Sequence, residues 1–137
     1  MPSSSSEDRA AGRLASRATD IVAAIGLIRR FTQGMDLQSF ASDDKTRAAV
    51  ERELEIISEA CTKIRNDEIA LNMPPKRTLE SRFPAVPWAH VRGIGNRLRH
   101  EYERIDVAVI WKTVAESTDL EDLARALRAA FPATLEM

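Results

Sequence analysis

The chain has 137 residues, 44% of them hydrophobic and 30% charged, with a formal net charge of -1 at pH 7, which is typical of one soluble globular domain. This near-neutral charge excludes the strong overall positive field of many nucleic-acid-binding proteins, although a local basic patch stays compatible with RNA. The single cysteine, Cys61, excludes an intrachain disulfide and a cysteine-based zinc site.

The N-terminal residues predict a tail rather than a targeting segment. Met1 to Asp8 is rich in serine and lacks the apolar core of a secretory signal, and no apolar run approaches the ~20 residues of a membrane span. We therefore expect a cytoplasmic protein with no membrane partner. Residues 1–12 are expected to form a disordered polar tail, and residues 13–132 a single helical domain.

Two long amphipathic helices are predicted in the first half of the domain, from about Arg13 to Gln33 and from about Lys45 to Arg65. In each, apolar residues recur at alternating steps of four and three, which places them on one helix face. These stripes are Leu14, Ala18, Ile21, Ile25 and Ile28 in the first helix, and Val50, Leu54, Ile57, Cys61 and Ile64 in the second. Between the helices, Leu37 and Phe40 are expected to plug the core, and the run Ser42 to Asp44 offers capping oxygens.

The glutamates of the second helix fall largely outside its apolar stripe, and two interpretations of them stay open. They are Glu51, Glu53, Glu55 and Glu59. One interpretation is a solvated face with stabilising pairs between residues four apart. The other is that some of them face a partner subunit or brace the arginines of the later motif.

The second half of the domain is predicted to begin with an irregular crossing between helix pairs and then to return to helix. Pro74 and Pro75 break the chain, and a short helix is expected from about Thr78 to Phe83. Pro87 suits the first position of a third long helix, which begins at Trp88.

The remaining residues predict a fourth and a fifth helix. Asp106 is a good cap for the fourth, and Thr118 to Glu121 match the T-x-x-E capping box at the start of the fifth. Pro132 ends this last helix. Because no segment shows a strand pattern, we expect an all-α fold, an antiparallel bundle of four to five helices.

The third long helix carries the polar residues that can do chemistry. Its inward face is expected to hold Trp88, Val91, Gly95, Leu98 and Tyr102. On a different face, Asn96 and His100 follow Arg92 at steps of four. Four arginines stand against two glutamates between positions 92 and 104, which makes this helix locally basic; they are Arg92, Arg97, Arg99 and Arg104.

These residue types suit one kind of chemistry better than others. Histidine exchanges a proton near neutral pH and arginine stabilises charge on a phosphate, and metal-free RNA cleavage through a 2′-hydroxyl needs both. The spacings of histidine-glutamate metal sites, of a serine nucleophile and of a nucleotide-binding loop are missing, so we expect no metal and no cofactor. A histidine on a helix surface is also compatible with a structural role, and both interpretations stand at this point.

Several segments, taken in order, resemble the HepT-like (DUF86) branch of the HEPN superfamily, which comprises small α-helical toxins paired with an MntA-type nucleotidyltransferase antitoxin. The resemblance covers roughly residues 13–131. It rests on Ile28–Gly34, Lys45–Ala60, Val86–Trp88, the pattern Asn96-x-Leu98-x-His100-x-Tyr102, Ile105–Asp106 and Trp111. Each short match is weak alone, but their order and spacing together are specific.

The resemblance implies a HEPN-like bundle that forms a homodimer, with the two motif helices lining a shared RNA cleft. It implies a toxin with metal-independent endoribonuclease activity, for which tRNA is one candidate target. His100 corresponds to the family's catalytic histidine, acting as acid and base, and Asn96 to the polar residue that follows the motif arginine. Tyr102 corresponds to the tyrosine that the antitoxin modifies with AMP, which blocks the toxin.

One position departs from the family pattern R-x(4-6)-H-x-Y, in which arginine usually stands directly before the asparagine. Here that position is Gly95. Three explanations stay open: Arg92, Arg97 or Arg99 replaces the missing cation, the protein uses weaker chemistry led by the histidine, or it is a catalytically degenerate helical module that only binds RNA or the nucleotidyltransferase. Arg104 is a further candidate RNA contact. A nucleotide-binding accessory domain is a third class of function.

Overall fold

The computed structural model describes residues 4–100 and 106–135, apart from the side chains of Ser4, Ser5 and His100, and within those ranges the chain is helical without strands. The predicted all-α bundle is confirmed. None of these helices is long and apolar enough to cross a membrane. The α-helices are α1 Ser4–Thr32, α2 Leu37–Ala41, α3 Asp44–Ala70, α4 Leu79–Arg82, α5 Trp88–His100, α6 Val107–Trp111 and α7 Asp119–Ala130.

Helix α3 lies at the centre of the bundle, because it packs against α1 on one side and against α5 on the other. Helix α7 packs on α1, and α2 contacts both α3 and α6. Both predicted apolar stripes are buried, since a period of 3.6 residues turns each of them towards the neighbouring helices. The most deeply buried aliphatic side chains include Ile21, Ile25 and Ile28 of α1, Leu54 and Ile57 of α3, and Leu123 and Leu127 of α7.

The first helix begins earlier than the sequence indicated, at Ser4 instead of Arg13. The segment 4–12, which was expected to belong to a disordered tail, is therefore helical and adds Ala10, only 2% exposed, to the buried residues. Helix α3 likewise continues to Ala70, beyond the predicted end at Arg65.

Contacts with distant residues explain the longer α3. Asp67 pairs with Arg17 of α1 at 2.8 Å, and a Glu68 oxygen accepts a hydrogen bond from the Leu79 N–H at 2.9 Å. These bonds favour a last turn whose own sequence carries no apolar stripe, so the ends of the helix depend on tertiary contacts.

The short helix α2 supplies one plug for the core. Phe40 is fully buried, and its ring centroid lies 5.2 Å from that of Trp111, in a tilted aromatic pair. The same role was predicted for Leu37, and that prediction was wrong, because Leu37 is the first residue of α2 and is 40% exposed. The Asp36 side chain caps this helix by accepting from the Ser39 N–H at 2.8 Å.

Of the two capping residues predicted for the last helices, one is confirmed and one is wrong. Asp106 caps α6 as predicted, accepting from the Ala108 N–H at 2.9 Å. The capping box at Thr118 is wrong, because its hydroxyl lies 3.0 Å from an Asp122 oxygen and caps no backbone N–H. A π-helical turn, Lys112–Glu116, precedes it and leaves Thr118 with φ -94° and ψ 7°, outside the extended conformation of a capping residue.

Replacing Phe40 with alanine tests whether α2 plugs the core. We expect Phe40→Ala to lower the free energy of unfolding by about 3–5 kcal/mol, because it removes a fully buried ring and leaves a cavity beside Trp111. Leu37→Ala is the matched control on the same helix and should cost less than about 0.5 kcal/mol. Chemical denaturation measures both, and equal losses would show that α2 packs differently.

Candidate functional site on helix 5

The inner face of α5 is anchored in the core. Trp88, Val91 and Leu98 are each at most 6% exposed, and the indole N–H of Trp88 donates to the Phe83 carbonyl at 2.9 Å. This confirms the predicted inward face for the described residues; Tyr102, the last member of that set, lies outside them. The helix is therefore positioned through residues that do no chemistry.

The closest approach between α3 and α5 is at Ser58 and Gly95. The Ser58 hydroxyl, buried at 2% exposure, donates to the Arg92 carbonyl at 2.6 Å and accepts from the Gly95 N–H at 3.0 Å. A Cβ atom placed on Gly95 would lie 2.6 Å from Ser58 Oγ and 2.8 Å from Ser58 Cβ. Glycine is thus required for the two helices to come this close.

Three polar residues of α5, Asn96, Arg97 and Arg99, are exposed. The Arg99 guanidinium folds back along the helix, with Nη1 3.4 Å from the position that a Gly95 Cβ would take. His100 is the last residue of α5, four residues after Asn96. The His100 side chain, Tyr102 and Arg104 lie outside the described residues.

Arg92 has a different environment from Arg99. Its side chain is only 14% exposed and forms an ion pair with Glu80 of α4. It lines a cleft of about 230 Å³ between the end of α3, α4 and the start of α5, together with Arg65, Glu68, Thr78 and Trp88. Arg92 is therefore engaged towards α4, away from the space beside Gly95.

Arg97 lies on yet another side of the helix. It lines a narrow groove with Leu98 of α5 and with Val109, Ile110 and Thr113 of the following helical segment. The structure thus separates the three arginines that were candidates for the missing cation. The Arg99 guanidinium lies next to the place where the side chain of residue 95 would begin, with Nη1 3.4 Å from a Cβ placed there.

Glu59 of α3 interacts electrostatically with Arg99 of α5. The pKa of Glu59 is lowered mainly by its hydrogen bond and ion pair with Lys63, at 3.1 Å, with smaller effects from Arg99 and Arg52. Over the described ranges, no carboxylate lies within ion-pair distance of Arg99. For Glu59, these contacts favour the interpretation of a solvated face with pairs between residues four apart. The Arg99 guanidinium stays accessible.

The cleft beside Arg92 contains a buried acid that the sequence analysis missed. Glu68 is 7% exposed, and its carboxylate accepts from the Leu79 N–H at the start of α4. Burial raises the pKa of Glu68; the hydrogen bond opposes this shift and the negative charge of Glu80 adds to it. No periodicity or motif marks this residue, because its burial depends on α4 folding over it.

Cys61 borders the same cleft and is no candidate nucleophile. Burial raises the pKa of its thiol to about 12, in spite of the nearby positive charge of Arg92. The thiol therefore stays protonated at neutral pH, as expected for a small buried side chain. Elsewhere in the part of the chain that the structure describes, no three His, Cys, Asp or Glu side chains are grouped so that they could share a metal ion.

Comparison with known proteins places the chain among its relatives. The family model described as "Ribonuclease HepT-like" matches residues 21–130. The chain belongs to the HepT-like family. Over 97 residues it is 40% identical to the "Probable ribonuclease HepT" of Thermococcus cleftensis, a match that covers 71% of this chain and 78% of that protein.

Two further HepT-like relatives come from Methanocaldococcus jannaschii. The chain is 36% identical to the "Putative RNase MJ1380" over 97 residues, which is 71% of this chain and 79% of that protein. It is 30% identical to the "Putative RNase MJ0125" over 94 residues, 69% of this chain and 72% of the relative. No solved structure gave a significant match.

Position 95 is where this chain departs from the HepT-like family pattern. The family pattern places an arginine there, and the structure shows a packing reason for glycine, the contact with Ser58. In this chain, the Arg99 guanidinium lies next to position 95, where the pattern has its arginine.

The buried Glu68 predicts a pH dependence of stability. Because its pKa is raised in the folded state, the native protein holds a proton at pH values where the unfolded chain has lost it. The free energy of unfolding should therefore fall as the pH rises from about 4.5, the ordinary value, through the raised pKa. Glu68→Gln keeps an acceptor for the Leu79 N–H and should remove this part of the fall, whereas the exposed Glu116→Gln should keep it. Denaturation curves at several pH values measure the slope; an unchanged slope in Glu68→Gln would contradict the assignment.

Proposed function

We propose that this HepT-like chain is a metal-independent endoribonuclease, the toxin of a toxin–antitoxin pair. His100 acts as the acid and base, Asn96 orients the substrate, and Arg99 supplies the cation that the family pattern places at position 95. The observation that carries this proposal is the Arg99 guanidinium, 3.4 Å from the missing Cβ of Gly95. Relatives named as ribonucleases support the reaction class.

The proposed reaction needs only groups that this helix carries. The imidazole of His100 takes the proton of an RNA 2′-hydroxyl as the oxygen attacks the adjacent phosphorus. The bond from phosphorus to the 5′-oxygen breaks, the His100 imidazolium gives its proton to that oxygen, and a 2′,3′-cyclic phosphate and a 5′-hydroxyl are released. Arg99 stabilises the negative charge that builds up on the phosphate oxygens, and the Asn96 amide donates to a phosphate or ribose oxygen.

Arg99 is favoured over the other arginines by its surroundings. Arg92 would have to leave its ion pair with Glu80 and its largely buried position to reach a phosphate. Arg97 lines the groove next to Val109 and Ile110, on a side of α5 away from Gly95. In the proposed homodimer, two α5 helices line one RNA cleft, so the exposed Arg99 of each protomer is available to the bound strand.

RNA cleavage in the presence of EDTA tests this proposal. The purified wild type, free of its partner, should cleave RNA near neutral pH, and His100→Ala should abolish the activity. Arg99→Ala should lower kcat about 10²–10³-fold, as loss of one transition-state charge contact does. Arg30→Ala, which removes an exposed arginine at the end of α1, should leave cleavage unchanged.

The competing function is a degenerate helical module that binds RNA or its partner without cleaving, and the glycine at position 95 is the observation that favours it. An intact RNA substrate with wild-type protein would decide for that module. Full activity of Arg99→Ala would leave the ribonuclease in place but remove Arg99 from it. Light scattering on the same samples reports whether the variants keep the proposed dimer.

We also propose that an MntA-type nucleotidyltransferase silences this toxin by transferring AMP from ATP to the phenol oxygen of Tyr102, with loss of the phenol proton and release of pyrophosphate. Tyr102 is the only tyrosine of the chain, which makes the site easy to test. Incubation with the partner and ATP should raise the intact mass by one or more AMP units in the wild type and in His100→Ala. Tyr102→Phe should stay unmodified, and an adduct on that variant would rule out the tyrosine as the acceptor.

A further inference from the structure

A single buried hydroxyl connects the scaffold helix α3 to the backbone of the site helix. Ser58 is 2% exposed, and both of its hydrogen bonds go to α5, at the Arg92 carbonyl and the Gly95 N–H. These two groups lie within the turn that directly precedes Asn96. Ser58 is therefore a polar side chain of α3 that contacts α5 directly beside Asn96 in the chain.

We infer that Ser58 is a positioning residue for the α5 site and that Ser58 and Gly95 form a matched pair that transfers the cation role from position 95 to Arg99. This inference rests on the proposed ribonuclease function. Ser58 would act in two ways: it keeps side chains out of position 95, and it holds α5 in one register against α3.

Ser58 leaves no room for a side chain at position 95. A Cβ on residue 95 would meet Ser58 Oγ at 2.6 Å and Ser58 Cβ at 2.8 Å, both shorter than an ordinary van der Waals contact. The hydroxyl cannot turn aside without losing both of its hydrogen bonds in a buried place. An arginine at position 95 would thus force α5 away from α3, together with the residues that α5 presents.

The same two hydrogen bonds of Ser58 also hold α5 in register against α3. Since Ser58 both donates to α5 and accepts from it, sliding or turning α5 against α3 breaks at least one bond. Arg99 lies one turn beyond Gly95, and its guanidinium Nη1 lies 3.4 Å from the place that a Gly95 Cβ would take. The position of that guanidinium relative to Asn96 therefore depends on the register that Ser58 maintains.

An exchange of side chains between the two helices tests whether Ser58 keeps side chains out of position 95. Gly95→Arg alone should lower both the thermal midpoint and RNA cleavage, although it restores the family's arginine. Ser58→Gly removes the side chain that the new Cβ would meet, so Ser58→Gly/Gly95→Arg should recover the midpoint and cleavage relative to Gly95→Arg. Gly95→Ala, which adds only the Cβ, should show a smaller loss with the same rescue.

The transfer of the cation role is tested by adding Arg99→Ala to each background. In the wild type this change should lower kcat about 10²-fold or more, but in Ser58→Gly/Gly95→Arg by less than about threefold, because the arginine at position 95 again carries the charge. An equal dependence on Arg99 in both backgrounds would overturn the transfer while leaving the ribonuclease intact.

The positioning role is tested with Ser58→Ala, which keeps most of the packing and removes both hydrogen bonds. It should lower kcat about tenfold with KM within about twofold, since a misplaced group acts mainly on the chemical step. Thr62→Ala is the matched control, because the Thr62 hydroxyl lies one turn further along α3 and bonds only to the Ser58 carbonyl. An unchanged kcat in Ser58→Ala would show that Ser58 contributes to packing and does not position the site.

Stability measurements separate a failure of this inference from a failure of the proposed function. If the wild type cleaves no RNA, the ribonuclease proposal fails and the transfer of a catalytic charge fails with it. The matched pair is then decided by thermal unfolding and by amide hydrogen exchange along α5. A Gly95→Arg protein as stable as the wild type, or one that Ser58→Gly does not rescue, overturns the pair in either case.

Discussion

The contact between Ser58 and the backbone of α5 is the interaction on which the candidate site depends. A buried hydroxyl is stable only when its hydrogen bonds are made, and this one makes both of them to the helix that carries the polar motif. Trp88, Val91 and Leu98 bury the remainder of the inner face, so α5 has one position against α3. Because the inner face is held in this way, the outer face presents Asn96 and Arg99 in a defined arrangement.

The surroundings of α5 divide its arginines into different roles. Arg92 forms an ion pair with Glu80 and lines the cleft that contains the buried Glu68, so a neighbouring carboxylate compensates its charge. Arg99 has no such carboxylate among the described residues and remains exposed. A chain with a net charge of -1 thereby keeps a local positive surface, and phosphate contacts depend on local charge more than on the total.

Parts of this fold could be predicted from the sequence because they depend on local pattern. The stripes of α1 and α3 report burial directly, and Asp106 caps the helix that follows it. Other parts depend on residues far apart in the chain. The last turn of α3 is held by Arg17 and by the backbone of Leu79, and neither contact leaves a local signal. Gly95 was identified as a departure from the family pattern, but its cause, Ser58, lies 37 residues away and is visible only in three dimensions.

A missing motif residue is not the same as a missing charge. On a helix, a side chain four residues later lies almost above the vacant position, and an arginine is long enough to reach back over one turn. The facing helix decides whether the charge can stand at the motif position itself or must come from its neighbour. Here the facing residue is a serine that needs the space for its own two hydrogen bonds, and the guanidinium beside Gly95 comes from Arg99. A sequence pattern alone therefore does not report the volume available at position 95, because that volume is a property of the pair of helices.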